Sequence, residues 1–465
     1  MDTEKEKQGL GGKTWPPLDG GRAALARAAL AALAALMVLG SSSAQASGDA
    51  CSQVPLQPNG HYNFAAFWQP APGAYSSTMW QSRGLCYADG ASWVEQKYGA
   101  VVDVTLDQRY EMYRSNALPK KQALPLIIWA HPNGPSQVMI AANAGAGDTS
   151  PLMEKLVVPA VNAGFAFMSL QFRHPRGSQS VDPLKFNPQV PHTDIAQAVQ
   201  WVRSRAADLG VDPDNIFLLG QSRGSLALLN AFMPDQRDIS QPDWHAQSSK
   251  PRAVFAVQAQ TSYEHAELRD VFILPNATVP VPPNTRPGFD YHAYLDRNDP
   301  PFVNPGSALA ALDLSDPPFW VRYERAPTDP GNVAVIPLGS RVAPEGQDPM
   351  KYGVCYEPPT ADYPDLAGSG CFDEHHPNFG AALAARFLSL QPSAAQRAAV
   401  GIQFGPRLAS QAQLDRVSKH FYDDYVCFFI QNLTPAGAVL RAQAVPAQQS
   451  PSCRITDHPW PPAGL

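Results

Sequence analysis

The chain has 465 residues, a net charge of -6 at pH 7, and a composition that is 44% hydrophobic and 16% charged. This apolar content is enough for a large buried core, which excludes a chain that is disordered throughout. No run of lysine or arginine stands out, which argues against nucleic acid or an anionic membrane as a partner. Proline contributes 47 residues, about twice the average share of roughly 5%, so we expect long ordered loops around a compact centre.

The first segment has the features of an export signal. Arg22 and Arg27 precede an apolar run at 28–40, which is followed by Ala44-Gln45-Ala46. Positive charge, a short apolar run and an A-x-A site are typical of a cleaved secretory signal, and the run is shorter than the roughly 20 residues that span a bilayer. We therefore predict a signal peptide at 1–46 and a secreted or periplasmic protein with no stable membrane anchor. An uncleaved signal anchor or an alanine-rich helix is the alternative.

All six cysteines follow the predicted cleavage site. An even number of cysteines in an exported chain predicts three disulfides. Pairing sequence neighbours is the simplest arrangement, and it gives Cys51–Cys86, Cys355–Cys371 and Cys427–Cys453. Because the chain has no C-x-x-C pair, we expect neither a zinc site nor a redox site.

The middle of the chain alternates short apolar runs with amphipathic stretches. The predicted strands are 124–130, 165–170, 216–219, 253–257 and 318–323, and the predicted helices are 150–163, 195–202 and 225–232. Asp194 is expected in the first turn of the second helix. Short apolar runs bounded by turn residues are typical of strands buried on both faces, and their alternation with helices predicts a parallel sheet.

The flanking segments differ from this repeating centre. Residues 47–123 contain alternating aromatic stretches such as 109–113, which predict antiparallel edge strands. We assign the catalytic core to 124–390, with a Pro- and Asn-rich insertion at about 262–305. Residues 391–465 are predicted to form a helical C-terminal extension.

A G-x-S-x-G motif lies between the predicted strand at 216–219 and the helix at 225–232. It consists of Gly220, Gln221, Ser222, Arg223 and Gly224. In this strand-turn-helix context the serine is expected on a tight, strained turn, where glycines allow close approach of neighbouring backbone. The N-terminus of the following helix favours negative charge that develops nearby. The motif therefore predicts a nucleophilic serine, and a purely structural serine is the alternative.

Residues from about 100 to 390, and 194–228 most of all, resemble the α/β-hydrolase fold in its secreted carboxylesterase and lipase branch. The resemblance implies an α/β protein whose mostly parallel sheet carries helices on both faces. It also implies hydrolysis of a small-molecule or polymeric carboxylic ester through an acyl-enzyme, without a metal or organic cofactor. In that family the catalytic residues follow the chain order serine, acid, histidine.

The resemblance also implies an oxyanion hole, which binds the developing negative charge through backbone N–H groups. One donor is the N–H of Arg223, directly after the serine. The other is expected in His131-Pro132-Asn133-Gly134, where the family often has His-Gly-Gly-Gly. Since proline has no N–H, Asn133 and Gly134 are the expected donors. A simple turn is the alternative interpretation of this segment.

The catalytic histidine is expected after the serine in the chain. The segment 374–380 resembles the esterase pattern His-x-Pro-x-Phe-Gly, which aligns the base with His375 and leaves His376 to pack or to line the pocket. His376 as the base remains the alternative.

The acid is expected after the strand at 318–323, where the loop carries Glu324 and Asp329. We favour Asp329, because a carboxylate a few residues past the strand end can turn back toward the histidine. A structural Asp-Pro-Gly turn at this position is the alternative role, and Asp362, Asp365 and Asp373 are the alternative acids.

Two other functions remain open at this stage. A peptidase of the prolyl-oligopeptidase type shares this sheet and motif, but it usually carries a large propeller, for which the segment before the core is too short. A non-catalytic α/β-hydrolase relative could serve as a binding protein, although such relatives typically lack the serine or the histidine.

Overall fold

The computed structural model describes a central sheet and the helices around it. The described residues are 68–71, 73–86, 93–97, 100–104, 109–132, 152–172, 189–240, 244–262, 307–327, 334–335, 352–354, 376–406, 411–445 and 453. The predicted signal peptide and almost all of the predicted insertion lie outside these residues.

Nine of the described strands form one sheet, in the order β1-β2-β5-β7-β6-β8-β9-β10-β13. The strands are β1 Gln69–Pro70, β2 Met79–Cys86, β3 Trp93–Lys97, β4 Ala100–Val104, β5 Arg109–Ser115, β6 Leu124–Ala130, β7 Ala166–Leu170, β8 Val211–Gln221, β9 Val254–Val257, β10 Phe319–Tyr323, β11 Ala334–Val335, β12 Tyr352–Val354 and β13 Gly401–Phe404. From β7 to β13 all neighbouring strands are parallel, whereas β1, β2 and β5 join the sheet antiparallel. The predicted parallel sheet with antiparallel edge strands is thereby confirmed.

Helices cover both faces of this sheet. They are α1 Val158–Asn162, which continues a π-helical turn at Met153–Val157, α2 Gln189–Ser204, α3 Ala206–Leu209, α4 Leu226–Phe232, α5 Ala308–Ala311, α6 Asn378–Ser389, α7 Ala394–Ala398, α8 Gln411–Ser418, α9 Tyr425–Gln431 and α10 Pro435–Ala444. On what we call the first face, α2, α4 and α6 pack into one apolar cluster. On the second face, α1, α8 and α9 pack into another.

The central strands are apolar on both sides because both faces are covered. In β8, Ile216 and Leu218 point into the first cluster, whereas Phe217 and Leu219 point into the second. Successive side chains of a strand alternate between faces, so an uninterrupted apolar run is what a doubly covered strand requires.

The chain reverses its direction of winding at the centre of the sheet. Strand β6 pairs with β7 on one side and with β8 on the other. The carboxyl ends of β6 and β8 therefore border the crevice where open α/β sheets bind their ligands. His131 follows β6 and Ser222 follows β8, so both lie at this crevice.

The structure adds one strand to the sequence-based prediction and corrects the position of one residue. The extension at 391–465 is largely helical, as predicted, and it also contains Gly401–Phe404, which forms β13 and pairs in parallel with β10. The sheet thus extends beyond residue 390, and β1, β2 and β5 extend it before residue 124. Asp194 lies in the second turn of α2 rather than the first, since that helix begins at Gln189, and it is fully buried.

One predicted disulfide, Cys427–Cys453, is confirmed. Its Cα atoms lie 5.0 Å apart, within the usual range for a disulfide, and it ties the C-terminal segment to α9. Cys51, Cys355 and Cys371 lie outside the described residues, and only the backbone of Cys86 is described. The other two pairings therefore stay predictions.

We expect the mature protein to contain three disulfides and no free thiol. Each bridge typically stabilises a protein by about 2–4 kcal/mol. Titration of the denatured, unreduced protein with a thiol reagent should give essentially no signal, and reduction beforehand should release all six thiols. Two equivalents of thiol without reduction would show that one predicted pair does not form.

In the part of the chain that the structure describes, no helix combines the length and the apolar character needed to cross a bilayer.

Candidate active site

Ser222 lies in a strained turn at the carboxyl end of β8. Its φ angle is +52°, in the left-handed region that residues with a side chain rarely adopt. It opens a 3-10 turn, Ser222–Ser225, that leads directly into α4. Such strain costs about 1–3 kcal/mol and persists only where the surroundings impose it, typically at active sites. This is the geometry expected of a nucleophile elbow.

The two glycines of the motif are required by close backbone contacts. A Cβ atom at Gly220 would collide with the carbonyl oxygen of Gly224. A Cβ atom at Gly224 would collide with the carbonyl oxygen of Ala130, at the end of β6. The absence of these side chains allows the turn to close tightly and brings the start of α4 against β6.

The same contact brings His131, the start of the predicted oxyanion loop, beside the turn that carries the serine. His131, the first residue after β6, is 7% exposed, and its ring packs 4.7 Å from that of Phe172 between centroids. The backbone of Arg223 follows Ser222 in the 3-10 turn. Asn133 and Gly134 lie outside the described residues, so their donor role stays a prediction.

The segment after β9 links the elbow to the start of α6. The Oγ atom of Ser225 accepts a hydrogen bond from the backbone N–H of Gln260, at 3.0 Å. The Oγ1 atom of Thr261 donates to the carbonyl oxygen of Phe379, also at 3.0 Å. The first turn of α6 is therefore held at the same edge of the sheet as the elbow.

His376 lies just before α6 and is 1% exposed. Its Nδ1 atom accepts a hydrogen bond from the backbone N–H of Asn378, at 3.0 Å. An accepting Nδ1 carries no proton, so a neutral His376 ring has its proton on Nε2. The base of a serine triad has the opposite arrangement, with Nδ1–H donating to the acid and Nε2 facing the serine. His375 lies outside the described residues.

A chain of polar side chains crosses the ends of β8, β9 and β10. Gln221 Nε2 donates to Gln258 Oε1 at 3.2 Å, and Gln258 Nε2 donates to Glu324 Oε2. At the other end, the hydroxyl of Tyr422 donates to Gln221 Oε1. Burial raises the pKa of Tyr422 well above its usual value, so this hydroxyl keeps its proton. No motif in the sequence indicated Tyr422 or Gln258.

Glu324 directly follows β10 and is fully buried. Of the acids considered from the sequence, it is the one whose position the structure describes. Its carboxyl group accepts a hydrogen bond from the side-chain amide of Gln258. Asp329, Asp362, Asp365 and Asp373 lie outside the described residues. The identity of the triad acid therefore stays a prediction.

The order of the strands, the elbow after β8 and one family comparison all indicate the α/β-hydrolase fold. Residues 115–270, about a third of the chain, match the family model described as BD-FAE, an α/β-hydrolase-type esterase family. The chain has the α/β-hydrolase fold and, within the matched range, is similar to carboxylesterases. The matched range of this α/β-hydrolase includes β6 to β9, and with them the elbow and the start of the oxyanion loop.

Solved structures similar to this α/β-hydrolase include two enzymes. A thermophilic esterase from the Planctomycetes species Thermogutta terrifontis has 15% identity and a TM-score of 0.40, over 74% of this chain and 95% of that chain. An acetyl ester-xyloside bifunctional hydrolase from Caldicellulosiruptor lactoaceticus has 14% identity and a TM-score of 0.39, over 70% of this chain and 88% of that chain. No curated protein sequence matches the chain.

The structure thus brings together the elbow, the end of β6 and the start of α6 in this α/β-hydrolase. Among the described residues, no group of three or more His, Cys, Asp or Glu side chains is placed to hold a metal ion.

Proposed function

We propose that this carboxylesterase-like α/β-hydrolase is a secreted serine hydrolase that cleaves small-molecule or polymeric carboxylic esters through an acyl-enzyme on Ser222. The observation that carries the proposal is the left-handed conformation of Ser222, held between two glycines that cannot carry a Cβ atom. A binding protein without catalytic activity has no use for a strained serine at this crevice, because the strain costs stability.

In the proposed reaction, Ser222 Oγ attacks the carbonyl carbon of the ester while its proton passes to Nε2 of His375. The carbonyl oxygen becomes negative and accepts hydrogen bonds from the N–H of Arg223 and from the loop containing Asn133 and Gly134. His375 then returns the proton to the leaving alcohol. A water molecule attacks the acyl-enzyme with the same base, which releases the acid and restores the serine.

The hydrogen bonding of His376 supports His375 as the base. The Nδ1 atom of His376 is used by the backbone N–H of Asn378, which stabilises the first turn of α6. A base whose Nδ1 accepts cannot also donate from that atom to a carboxylate.

A chain-length series of p-nitrophenyl esters on the mature protein tests the proposed function. We expect release of p-nitrophenol with a rate that depends on acyl length, since the substrate pocket has a finite size. Peptide p-nitroanilides serve as the comparison that would reveal a peptidase. Absence of hydrolysis for every ester, together with absence of phosphylation at Ser222 by diisopropyl fluorophosphate, would overturn the proposal.

Replacing Asp329 with asparagine should lower kcat by about 10²–10⁴-fold and leave KM nearly unchanged. The carboxylate orients the imidazole and stabilises the imidazolium that forms during attack, and neither effect concerns substrate binding. Asparagine keeps the volume of the side chain and removes its charge. Steady-state kinetics on the best p-nitrophenyl ester measure both constants.

Asp362, Asp365 and Asp373 provide matched controls for this substitution, each changed to asparagine in the same way. Near-normal turnover of Asp329→Asn, combined with a large loss for one of the other three, would place the acid in the later loop. It would also contradict the argument from the end of the strand.

The secretion part of the proposal depends on the predicted signal peptide at 1–46. Export to an oxidising compartment is the condition under which three disulfides form and persist. The confirmed Cys427–Cys453 bridge supports this part of the proposal, and the thiol titration described above bears on the remaining cysteines.

A further inference from the structure

Two residues with strained backbones lie side by side at the carboxyl edge of the sheet. Ser222 has a φ angle of +52°, and Gln258, the first residue after β9, has a φ angle of +53°. The last pair in the ladder between their strands joins Gln221 to Val257, so each strained residue directly follows one member of this pair. Neither residue is a glycine, and the surroundings must therefore hold both conformations.

A directed chain of hydrogen bonds connects Gln258 to Gln221, the residue before Ser222. Gln258 donates its amide N–H to the carboxyl group of Glu324, and its oxygen accepts from Gln221. Gln221 donates with its own amide and consequently presents its oxygen to the hydroxyl of Tyr422. The hydroxyl of Tyr422, which keeps its proton, donates at one end of this chain.

The contact with Tyr422 is made on the second face of the sheet. Phe217 and Leu219 point to this face, and Gln221 follows them at the same spacing of two. Tyr422 is 7% exposed, and its ring meets that of Trp129 edge-on at 5.7 Å between centroids. The phenol is therefore fixed by packing, and its hydroxyl is fixed by the single bond that it donates to Gln221.

The segment that carries Tyr422 is itself firmly attached to β10. Arg322, which is fully buried, donates to the carbonyl oxygen of Phe421 at 3.3 Å and forms an ion pair with Asp424. The same guanidinium donates to Gln403 Oε1 at 2.9 Å. These contacts hold the C-terminal segment close enough to reach the residue before the nucleophile.

We propose that Tyr422 is a positioning residue for the nucleophile, acting through Gln221 to hold Ser222 in its left-handed conformation. The inference rests on the proposed role of Ser222 and adds a residue from the C-terminal segment that the G-x-S-x-G motif does not contain. Loss of the hydroxyl leaves the half-buried side chain of Gln221 without this donor. The side chain then shifts, and the backbone that leads into Ser222 relaxes with it. The serine is then less often aligned for attack, whereas the binding of substrate is unchanged.

Tyr422→Phe tests the proposal, and Tyr425→Phe is its matched control. Tyr425 is a buried tyrosine in the same segment, and its hydroxyl donates to the carbonyl oxygen of Leu156, away from the elbow. Each substitution removes one buried hydroxyl and the hydrogen bond that it donates. We expect Tyr422→Phe to lower kcat for p-nitrophenyl acetate about tenfold with KM within about twofold of wild type, as expected for the loss of about one hydrogen bond. Tyr425→Phe should keep kcat within about twofold of wild type. Its melting temperature should fall by about as much as that of Tyr422→Phe.

Phosphylation of Ser222 by diisopropyl fluorophosphate provides a second readout, because it measures serine reactivity without a bound ester. The rate should fall in Tyr422→Phe and remain unchanged in Tyr425→Phe. Equal rates in the two variants, or equal losses that follow the melting temperature, would overturn the positioning role. Wild-type protein that is neither phosphylated nor active on esters would instead refute the proposed function, and the positioning role with it.

The variant Gln258→Met covers the case in which Tyr422→Phe does not fold. Gln258→Met alone breaks the chain of hydrogen bonds next to Gln221, so it should also lower kcat with little change in KM. Where both variants fold, their effects on kcat should be less than additive, because each interrupts the same chain. Normal kcat in Gln258→Met, or full additivity in the double variant, would contradict the proposal.

Discussion

Replacing Ser222 with alanine is expected to lower kcat/KM for p-nitrophenyl esters by about 10⁴-fold or more. The hydroxyl is the proposed nucleophile, and without it neither the acyl-enzyme nor phosphylation by an organophosphate can form. Only the stabilisation provided by the oxyanion hole would remain. The measurement is steady-state hydrolysis of the preferred ester, together with the mass of the protein after treatment with diisopropyl fluorophosphate.

The control for this experiment is the fold of the variant. Ser222 is 3% exposed, and alanine removes one oxygen without adding volume, so the melting temperature should change little. A folded variant that retains more than about a tenth of wild-type activity would exclude Ser222 as the nucleophile.

The second large effect is expected at the histidine pair. His375→Ala should lower kcat by about 10³-fold or more, because no other group then takes the proton of Ser222. His376→Ala should keep most of the activity and lose stability by about 1 kcal/mol, since it removes the hydrogen bond that Asn378 donates to the ring at 3.0 Å. Kinetics and thermal unfolding of the two variants separate these outcomes.

The opposite result would be equally informative. Inactivation by His376→Ala with an active His375→Ala variant would assign the base to His376, and its Nδ1 would then have to exchange its present partner for a carboxylate. Mild effects at both positions would remove this segment from the catalytic site altogether.

The local parts of the fold could be predicted from the sequence because their signals are local. The strand at 216–219, the turn at 220–224 and the following helix are contiguous, and each has a recognisable composition. The identification of the elbow required only these neighbours. The buried apolar runs of β6, β8 and β9 likewise indicate strands covered on both faces.

The parts that could not be predicted depend on contacts between distant residues. Gln221 and Tyr422 are 201 residues apart, and nothing near either of them in the chain indicates their hydrogen bond. The left-handed conformation of Gln258 has no signature either, since glutamine is not a residue that favours positive φ. Strand β13 has four residues within a largely helical segment, so its composition alone does not separate it from a loop.

The pairing of β13 with β10 also affects which strand edge is exposed while the chain is being synthesised. The edge of β10 emerges from the ribosome long before Gly401–Phe404, the strand that covers it. During this interval β10 presents an uncovered row of amide groups beside apolar side chains, which is a template for pairing with another nascent chain. Once β13 arrives, Gln403 accepts hydrogen bonds from Trp320 and Arg322 and fixes the register of the docked strand. We expect a chain shortened before Gly401 to keep this edge of β10 uncovered, and therefore to self-associate more readily than the chain in which β13 is paired.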